Sequence, residues 1–321
     1  MRSMATIVSV VVPLLNEGAS LDELYHRLSS VANKRRETFE FLFVDDGSTD
    51  DTWVRLKALR EKDPRVKLIG LSRRFGHQIA LSSGLDHAQG DAVITMDGDL
   101  QHPPELLDQF LQAWEEGFPV VYGVRADTSP VSLFKKIPST FFYFIFQKLT
   151  GIAVPRNGPD FRLMDKKAIR TLRSMKERHR FLRGMTHWMG YRAKPISFVS
   201  PPRRRGSPGY TFWRMCRLGI DGLTSFSAAP LYLATYAGAV LALGGALYSA
   251  YVLYARFVTH NVLPGWTSLI LMSSIIGGLQ FFFLGILGLY VGRIFEELKG
   301  RPLYVVWESH GVEVQRHDEP R

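Results

Sequence analysis

Apolar residues along the first 125 positions come in short, dense blocks separated by polar, turn-forming clusters. Val8–Val12 is a β-branched run stopped by Pro13, and Phe39–Val44, Val66–Leu71, Ala92–Met96 and Val120–Val124 repeat the pattern. Blocks of this length, lacking the polar alternation of a half-exposed strand, predict buried parallel strands. Between them the apolar spacing becomes helical: about Ser20 to Lys34, a helix opening near Thr52, and a segment in which Ala80, Leu81, Gly84, Leu85 and Ala88 share one face. Gly47 permits a tight turn in DDGSTD (Asp45–Asp50), whose short polar side chains suit a helix cap. Strands alternating with helices, with polar clusters at the strand ends, predict an open α/β sheet binding its ligand at the carboxyl ends of the strands.

The pattern changes after Arg125. SLFKKIPSTFFYFIFQKL (Ser132–Leu149) mixes lysines with closely spaced aromatics, the composition of a helix lying in a membrane interface. NGPDFRLMD (Asn157–Asp165) reads as a helix start, with Asp160 as its N-cap or as a group facing the site. Arg180 and Arg183 near Trp188 suggest packed cation–π pairs. SPPRRRGSPGY (Ser200–Tyr210) is a loop, and in the next segment Phe212, Met215, Leu218, Ile220 and Leu223 lie near one face with Arg214 and Arg217 beside them, a second interfacial helix.

Leu231–Ala255 and Val262–Val291 contain no Asp, Glu, Lys or Arg. Each exceeds the roughly 20 residues needed to cross a hydrocarbon core, so both are predicted to span a bilayer. Arg256 is the only Lys or Arg between them, whereas Arg214 and Arg217 precede the first and Arg293, Lys299 and Arg301 follow the second. The positive-inside rule then places the α/β domain and the C-terminus in the cytoplasm. The expected organisation is a cytoplasmic α/β domain over 1–210, an interfacial helix over 211–230, two spans over 231–292, and a cytoplasmic tail over 293–321. In that tail RPLYVVWE (Arg301–Glu308) alternates like a strand that pairs with a neighbouring subunit or with the main sheet.

Composition narrows the chemistry. The 321 residues carry a formal charge of +10, which suggests a polyanionic partner, and the two spans favour phosphorylated substrate or anionic lipid over nucleic acid. The single cysteine, Cys216, excludes an intramolecular disulfide and a multi-cysteine metal site, and fits a reducing compartment. The run from Thr6 to Leu15 is cut short by Pro13 and Glu17 without a small-residue cleavage site, so it reads as a strand rather than a signal peptide. Neither G-x-G-x-x-G after the first strand nor G-x-x-x-x-G-K-[ST] occurs, which leaves phosphate to metal and basic side chains.

The stretch with most chemistry is MDGDLQHPPE (Met96–Glu105). Asp97 and Asp99 stand two residues apart at a strand tip, where carboxylates repel unless a cation lies between them. A hard ion such as Mg²⁺ or Mn²⁺, held by Asp97, Asp99 and the amide oxygen of Gln101 beside a diphosphate, answers that need. An isolated D-x-D is otherwise an Asx-rich turn, and the rest of the chain decides between the two.

VVPLLNE, DDGSTD, FGHQIALSSGLDHAQGD, MDGDLQHPPE, PDFRLMD, RFLRGMTHWMGY, DGLTSFS, two terminal spans and RPLY, in that order, resemble family 2 glycosyltransferases of the polyisoprenyl-phosphate type. This group includes dolichol-phosphate mannose synthase and the bactoprenol glucosyltransferases. The resemblance implies a GT-A fold, an inverting transfer from a nucleoside-diphosphate sugar such as UDP-glucose to undecaprenyl phosphate, and a place in the inner membrane. Pro13, Leu15 and Glu17 would line the nucleoside pocket, and Val44 and Asp46 would contact the base. Asp97, Asp99 and Gln101 would hold the metal, with Asp97 and Gly98 beside the nucleotide. Arg125 and Arg203 would contact phosphate; Lys135, Lys136 and Arg203 would receive the lipid phosphate. Asp160 matches the base position, although a phosphate anion is already a nucleophile and needs positioning more than deprotonation. The resemblance also implies a homo-oligomer, a tetramer being one arrangement, with a flippase and a lumen-side transferase downstream. One departure is RRRGSPGY, where Pro208 and Gly209 replace the serine and lysine that often precede the tyrosine.

Two other readings compete. A processive polysaccharide synthase typically carries Q-x-x-R-W, which is absent here. A non-catalytic scaffold or flippase partner would have no need of Asp97, Asp99 and Asp160 together.

Overall fold

A computed structural model describes residues 6–126, 159–178, 180–201, 228–258 and 265–313. Two compact units form: residues 1–211 with 301–321, and residues 212–300.

The first unit is built on an eight-stranded mixed sheet. Its strands and helices run β1 (Ile7–Leu14), α1 (Gly18–Ala32), β2 (Thr38–Asp45), α2 (Thr52–Lys62), β3 (Val66–Leu71), α3 (His77–His87), β4 (Ala92–Thr95), a short 3₁₀ turn, α4 (Leu107–Glu115), β5 (Val120–Arg125), β6 (Arg162–Asp165), α5 (Lys166–Ser174), α6 (Leu182–Trp188), β7 (Ala193–Phe198) and, after the second unit, β8 (Val306–His310). The spatial order is β7-β5-β6-β4-β1-β2-β3-β8. β1 pairs in parallel with β2 on one side and β4 on the other, with Val10 opposite both Phe41 and Ile94. Val8, Val10, Val11 and Val12 are fully buried, as a β-branched run covered on both faces requires.

Chain progression reverses at β1, since β2 and β3 lie to one side and β4 to the other. This topological switch opens a crevice at the carboxyl ends of β1 and β4. Gly98 closes its floor: a Cβ there would lie 2.2 Å from Leu14 Cδ2 at the tip of β1.

Two strands run against the expected parallel arrangement. β6 is antiparallel to both β4 and β5, with Thr95 opposite Arg162, and β8 is antiparallel to β3 at the sheet edge. The helix expected over Asn157–Asp165 is replaced by β6 within the described residues, and Asp160 is not its cap. The cap is Asp165, whose Oδ1 accepts from Ala168 N at 2.6 Å and opens α5. The antiparallel sense has a functional consequence: the residues entering β6 sit at the carboxyl end of β4, so Asp160 arrives beside Asp97.

The tail strand adds to the main sheet. Trp307 packs 5.5 Å from Trp53, and Trp53 Nε1 donates to Glu308 Oε2 at 3.0 Å.

The second unit contributes α7 (Ala229–Phe257) and α8 (Trp266–Leu298). Pro230–Tyr254 and Ile275–Leu298 are each long and apolar enough to cross a membrane, and neither apolar stretch is buried in protein. The expected interfacial helices over Ser132–Leu149 and Phe212–Leu223 lie outside the described residues, as do Lys135, Lys136 and Arg203.

Candidate active site

Three loops meet at the switch point. The first follows β1: Asn16 takes a left-handed φ of 57°, donates through its amide to Ser48 Oγ at 2.9 Å, and accepts through Oδ1 from Thr49 N at 2.8 Å. These bonds clip the LNE turn to DDGSTD, and Glu17 N adds another by donating to Thr52 Oγ1 at 3.1 Å. Ser20 Oγ then donates to Glu17 Oε2 at 3.0 Å and lies 3.3 Å from Gly98 O, joining the first loop to the D-x-D turn.

In that turn Asp99 Oδ1 accepts from Gln101 N at 3.0 Å, and Leu100 between them has φ 62°. A non-glycine residue held left-handed stores strain of about 1–3 kcal/mol, and such outliers gather at functional sites. Gln101 is buried; its Oε1 accepts from Arg125 Nη2 at 2.9 Å. The oxygen expected to ligate metal is thus shared with the arginine expected to bind phosphate. Arg125 Nε is buried without a hydrogen-bond partner among the described residues, which leaves one donor for a ligand oxyanion.

Asp97 stands between two imidazoles that sequence reasoning did not single out. His102 Nδ1 accepts from Asp97 N at 2.9 Å, which puts the ring proton on Nε2, 3.6 Å from Asp97 Oδ2. His102 is fully buried and stacks on Phe161 with centroids 5.0 Å apart; burial lowers its pKa and keeps it neutral. From the other side His77 Nε2 lies 3.4 Å from Asp97 Oδ1. That buried oxygen makes no hydrogen bond among the described residues.

Asp160 is 2% exposed and saturated. Arg183 grips it with a fork, Nε 3.0 Å from Oδ1 and Nη2 3.2 Å from Oδ2; Gln78 Nε2 donates to Oδ2 at 2.8 Å, and Arg162 Nη2 to Oδ1 at 3.3 Å. His77 Nε2 is 3.5 Å from Oδ2, and the backbone oxygen of Asp160 accepts from Thr95 Oγ1 at 2.7 Å. Burial pushes the carboxyl pKa up, but His77, Arg183 and Arg162 outweigh it and hold the group well below the usual range. Burial lowers Arg162 to about 10, with Asp160 opposing the shift and Arg183 adding to it. For His77 burial acts downward, and the nearby Asp160 and Asp97 carboxylates override it, so its pKa is raised.

The expectation that Arg180 and Arg183 pack on Trp188 is corrected here. Arg183 engages Asp160, Arg180 Nη1 lies 3.6 Å from Asp86 Oδ1, and Trp188 is 64% exposed. A charged pair in a site outcompetes an aromatic face in solvent because the buried carboxylate must be matched.

The other sequence candidates are placed as follows. Pro13 is buried, and Leu15 and Glu17 are half-buried around the crevice mouth. Val44 is fully buried, and its Cγ2 lies 3.1 Å from where a Cβ on Gly84 would stand, so its side chain packs beneath α3. Asp46 is buried too and accepts from Phe75 N at 2.7 Å and Gly76 N at 2.9 Å, fixing the loop that leads into α3. His77, Gln78, His102, Arg162 and Arg183 escaped the sequence reading. The available signal was the Gly76–His77 junction, since a glycine entering a helix at the carboxyl end of a strand marks a ligand-facing loop.

A metal is chemically compatible with this arrangement. The donors Asp97, Asp99 and Gln101 are all oxygen, and Asp97 Oδ1 is an orphaned buried acceptor. Among the described residues no three His, Cys, Asp or Glu side chains form a metal-holding group, so the protein would supply few ligands. That suits a hard ion completing its shell with diphosphate oxygens and water.

Comparison with known proteins gives the family. The model of the family described as glycosyl transferase family 2 matches residues 9–173, which include most of β1, the D-x-D turn and Asp160. The uncharacterized glycosyltransferase YkcC of Bacillus subtilis is 42% identical over 308 residues, covering 96% of this chain and 95% of the relative. The SfII prophage-derived bactoprenol glucosyl transferase of Shigella flexneri is 34% identical over 303 residues, covering 94% and 98%. Among solved structures, the mannosyltransferase PcManGT of Pyrobaculum calidifontis in complex with GDP-Man and Mn²⁺ aligns over 94% of this chain and 89% of its own, at 18% identity and a TM-score of 0.48. The open mixed sheet is of the GT-A kind, and the chain belongs to glycosyl transferase family 2.

Proposed function

We propose that this protein transfers a glycosyl group from a nucleoside-diphosphate sugar, UDP-glucose or a related UDP-sugar, to the phosphate of a polyisoprenyl phosphate such as undecaprenyl phosphate. The observation that carries the reading is the pairing at one switch point of Asp97, with an unsatisfied buried oxygen, and Asp160, with a fully satisfied one. Full-length similarity to bactoprenol glucosyl transferases supports the lipid acceptor, and the two apolar helices support action at a membrane.

The residues divide the work. Glu17 and Leu15 border the pocket for the nucleoside, and the Arg125 guanidinium, fixed by Gln101, offers its unused Nε to a phosphate oxygen. Asp97, Asp99 and Gln101 would hold Mg²⁺ or Mn²⁺, which would supply positive charge to offset that developing on the leaving diphosphate. One acceptor phosphate oxygen forms a bond to the anomeric carbon as the bond to the diphosphate oxygen breaks. A single displacement of this kind inverts the anomeric centre.

The acceptor is already an anion, so no base is required. Asp160 is poorly suited to be one, since its lone pairs are taken by Arg183, Arg162 and Gln78 and its pKa is depressed. Its task is to aim Arg183 and His77 at the space where sugar and acceptor meet, electrostatic preorganisation rather than proton transfer.

The same reading keeps the catalytic unit and tail cytoplasmic, with two spans in the membrane and Lys135, Lys136 and Arg203 receiving the lipid phosphate. The lipid-linked sugar would then pass to a flippase and a transferase on the other face.

The test is transfer of labelled sugar into an organic phase by purified, detergent-solubilised protein, using a panel of nucleotide sugars with undecaprenyl phosphate. Label in the lipid that disappears with EDTA and with Asp99→Ala supports the reading. Nucleotide-sugar binding without transfer to any polyprenyl phosphate contradicts it.

A further inference from the structure

Asp97 and Asp160, which have different tasks in the proposed reaction, share one imidazole. His77 Nε2 is 3.4 Å from Asp97 Oδ1 and 3.5 Å from Asp160 Oδ2. Each neighbour of His77 is itself anchored. Gly76, at φ 104°, donates its amide to Asp46 at 2.9 Å, and Gln78 donates to Asp160 through Nε2 while its Oε1 accepts from Leu182 N at 3.2 Å. The first turn of α3 is thereby tied to β2, to α6 and to Asp160, and the position of the His77 ring follows from those ties.

The two carboxylates do not depend on His77 equally. Asp160 has Arg183, Arg162 and Gln78 besides, so loss of the imidazole leaves its oxygens bonded. Asp97 Oδ1 makes no hydrogen bond among the described residues, and Oδ2 lies 3.6 Å from Nε2 of neutral His102. Of the two imidazoles, His77 therefore lies closer to the Asp97 carboxylate, its Nε2 facing Oδ1 at 3.4 Å.

We propose that His77 is a positioning residue for the divalent-cation site, holding Asp97 in the orientation a cation needs and keeping it in register with Asp160. This rests on the reading of Asp97 as a metal ligand given above. It extends that reading to a residue outside the D-x-D motif, delivered by a different loop. Groups that orient a metal ligand typically change metal affinity when removed, even though they never touch the ion.

The experiment is a Mn²⁺ titration followed by electron paramagnetic resonance. It uses the full chain in detergent with a nucleoside diphosphate present, and compares the parent with His77→Ala and His77→Gln. Thermal unfolding of the metal-free proteins is measured alongside. The expected result is a loss of Mn²⁺ affinity of about tenfold or more in His77→Ala, an unchanged Tm, and substantial recovery in His77→Gln, whose side-chain amide restores an N–H donor. Mn²⁺ binding by His77→Ala as tight as the parent's overturns the proposal, and so does a weakening accompanied by a matching fall in metal-free Tm, which marks a purely structural role. Failure of the parent itself to bind Mn²⁺ with a nucleoside diphosphate is a separate outcome: it overturns the metal reading of Asp97 and this inference with it.

Discussion

Arg183 and Asp160 form a two-point fork across the site, Nε to Oδ1 at 3.0 Å and Nη2 to Oδ2 at 3.2 Å. A lysine preserves the charge of Arg183 but cannot make both bonds. Arg183→Lys is expected to lower kcat about tenfold, matching the ~1.5 kcal/mol of one charge-assisted hydrogen bond. Steady-state rates at saturating donor and lipid check this; an unchanged kcat would show the fork to be incidental to the chemistry.

Asp160→Asn tests the carboxylate itself. With Arg162 fully enclosed and Arg183 facing an amide, the variant leaves buried positive charge unmatched, at a cost of about 3–5 kcal/mol. Its Tm should drop by several degrees along with activity. If Asp160 were a base standing apart from the fold, activity alone would fall.

Acidification gives a third prediction, through Asp63. Burial acts to raise its pKa, but Arg65, whose Nε lies 2.9 Å from Oδ2, and Tyr25, whose hydroxyl donates to Oδ2 at 2.8 Å, bring it below the ordinary value. A carboxylate depressed in the folded state contributes stability fully above its unfolded pKa of about 3.9 and loses it as pH falls through the lower, folded value. The parent's Tm should therefore decline steeply below about pH 4, and Asp63→Asn, less stable at neutral pH, should decline less over that interval. Parallel curves would remove Asp63 from the account.

Gly47→Ala addresses the loop geometry. Gly47 has φ 74°, and a Cβ there would lie 2.7 Å from the backbone carbon of Arg73. The left-handed conformation alone costs a non-glycine residue about 1–3 kcal/mol, and the backbone contact adds to it by pushing DDGSTD away from the loop that carries His77. Weaker nucleotide binding, read by calorimetry, together with a lower Tm is the expected result.

These predictions draw unevenly on what the sequence disclosed. Val8–Val12, Phe39–Val44 and Val66–Leu71 were legible as strands because burial on both faces demands uninterrupted apolar runs. β6 was not, being four residues long with Arg162 and Asp165 at its ends, and a strand that short carries no periodicity to read. Missing β6 hid why Asp160 meets Asp97. Asp97 and Asp99 announced themselves as a close acidic pair, and His102 stands in the same loop, whereas His77 and Arg183 reach the site from α3 and α6 through tertiary folding alone. Proximity in sequence pairs Arg183 with Trp188, whereas the carboxylate it meets in the fold is 23 residues away.

The most direct measurement is mass spectrometry of the lipid recovered after incubation with nucleotide sugar and undecaprenyl phosphate. The account predicts a product heavier than the acceptor by one glycosyl residue and still carrying one phosphorus, with free nucleoside diphosphate in the aqueous phase. A lipid left unmodified while the donor is consumed, or one that has gained a second phosphorus, would contradict glycosyl transfer to the lipid phosphate.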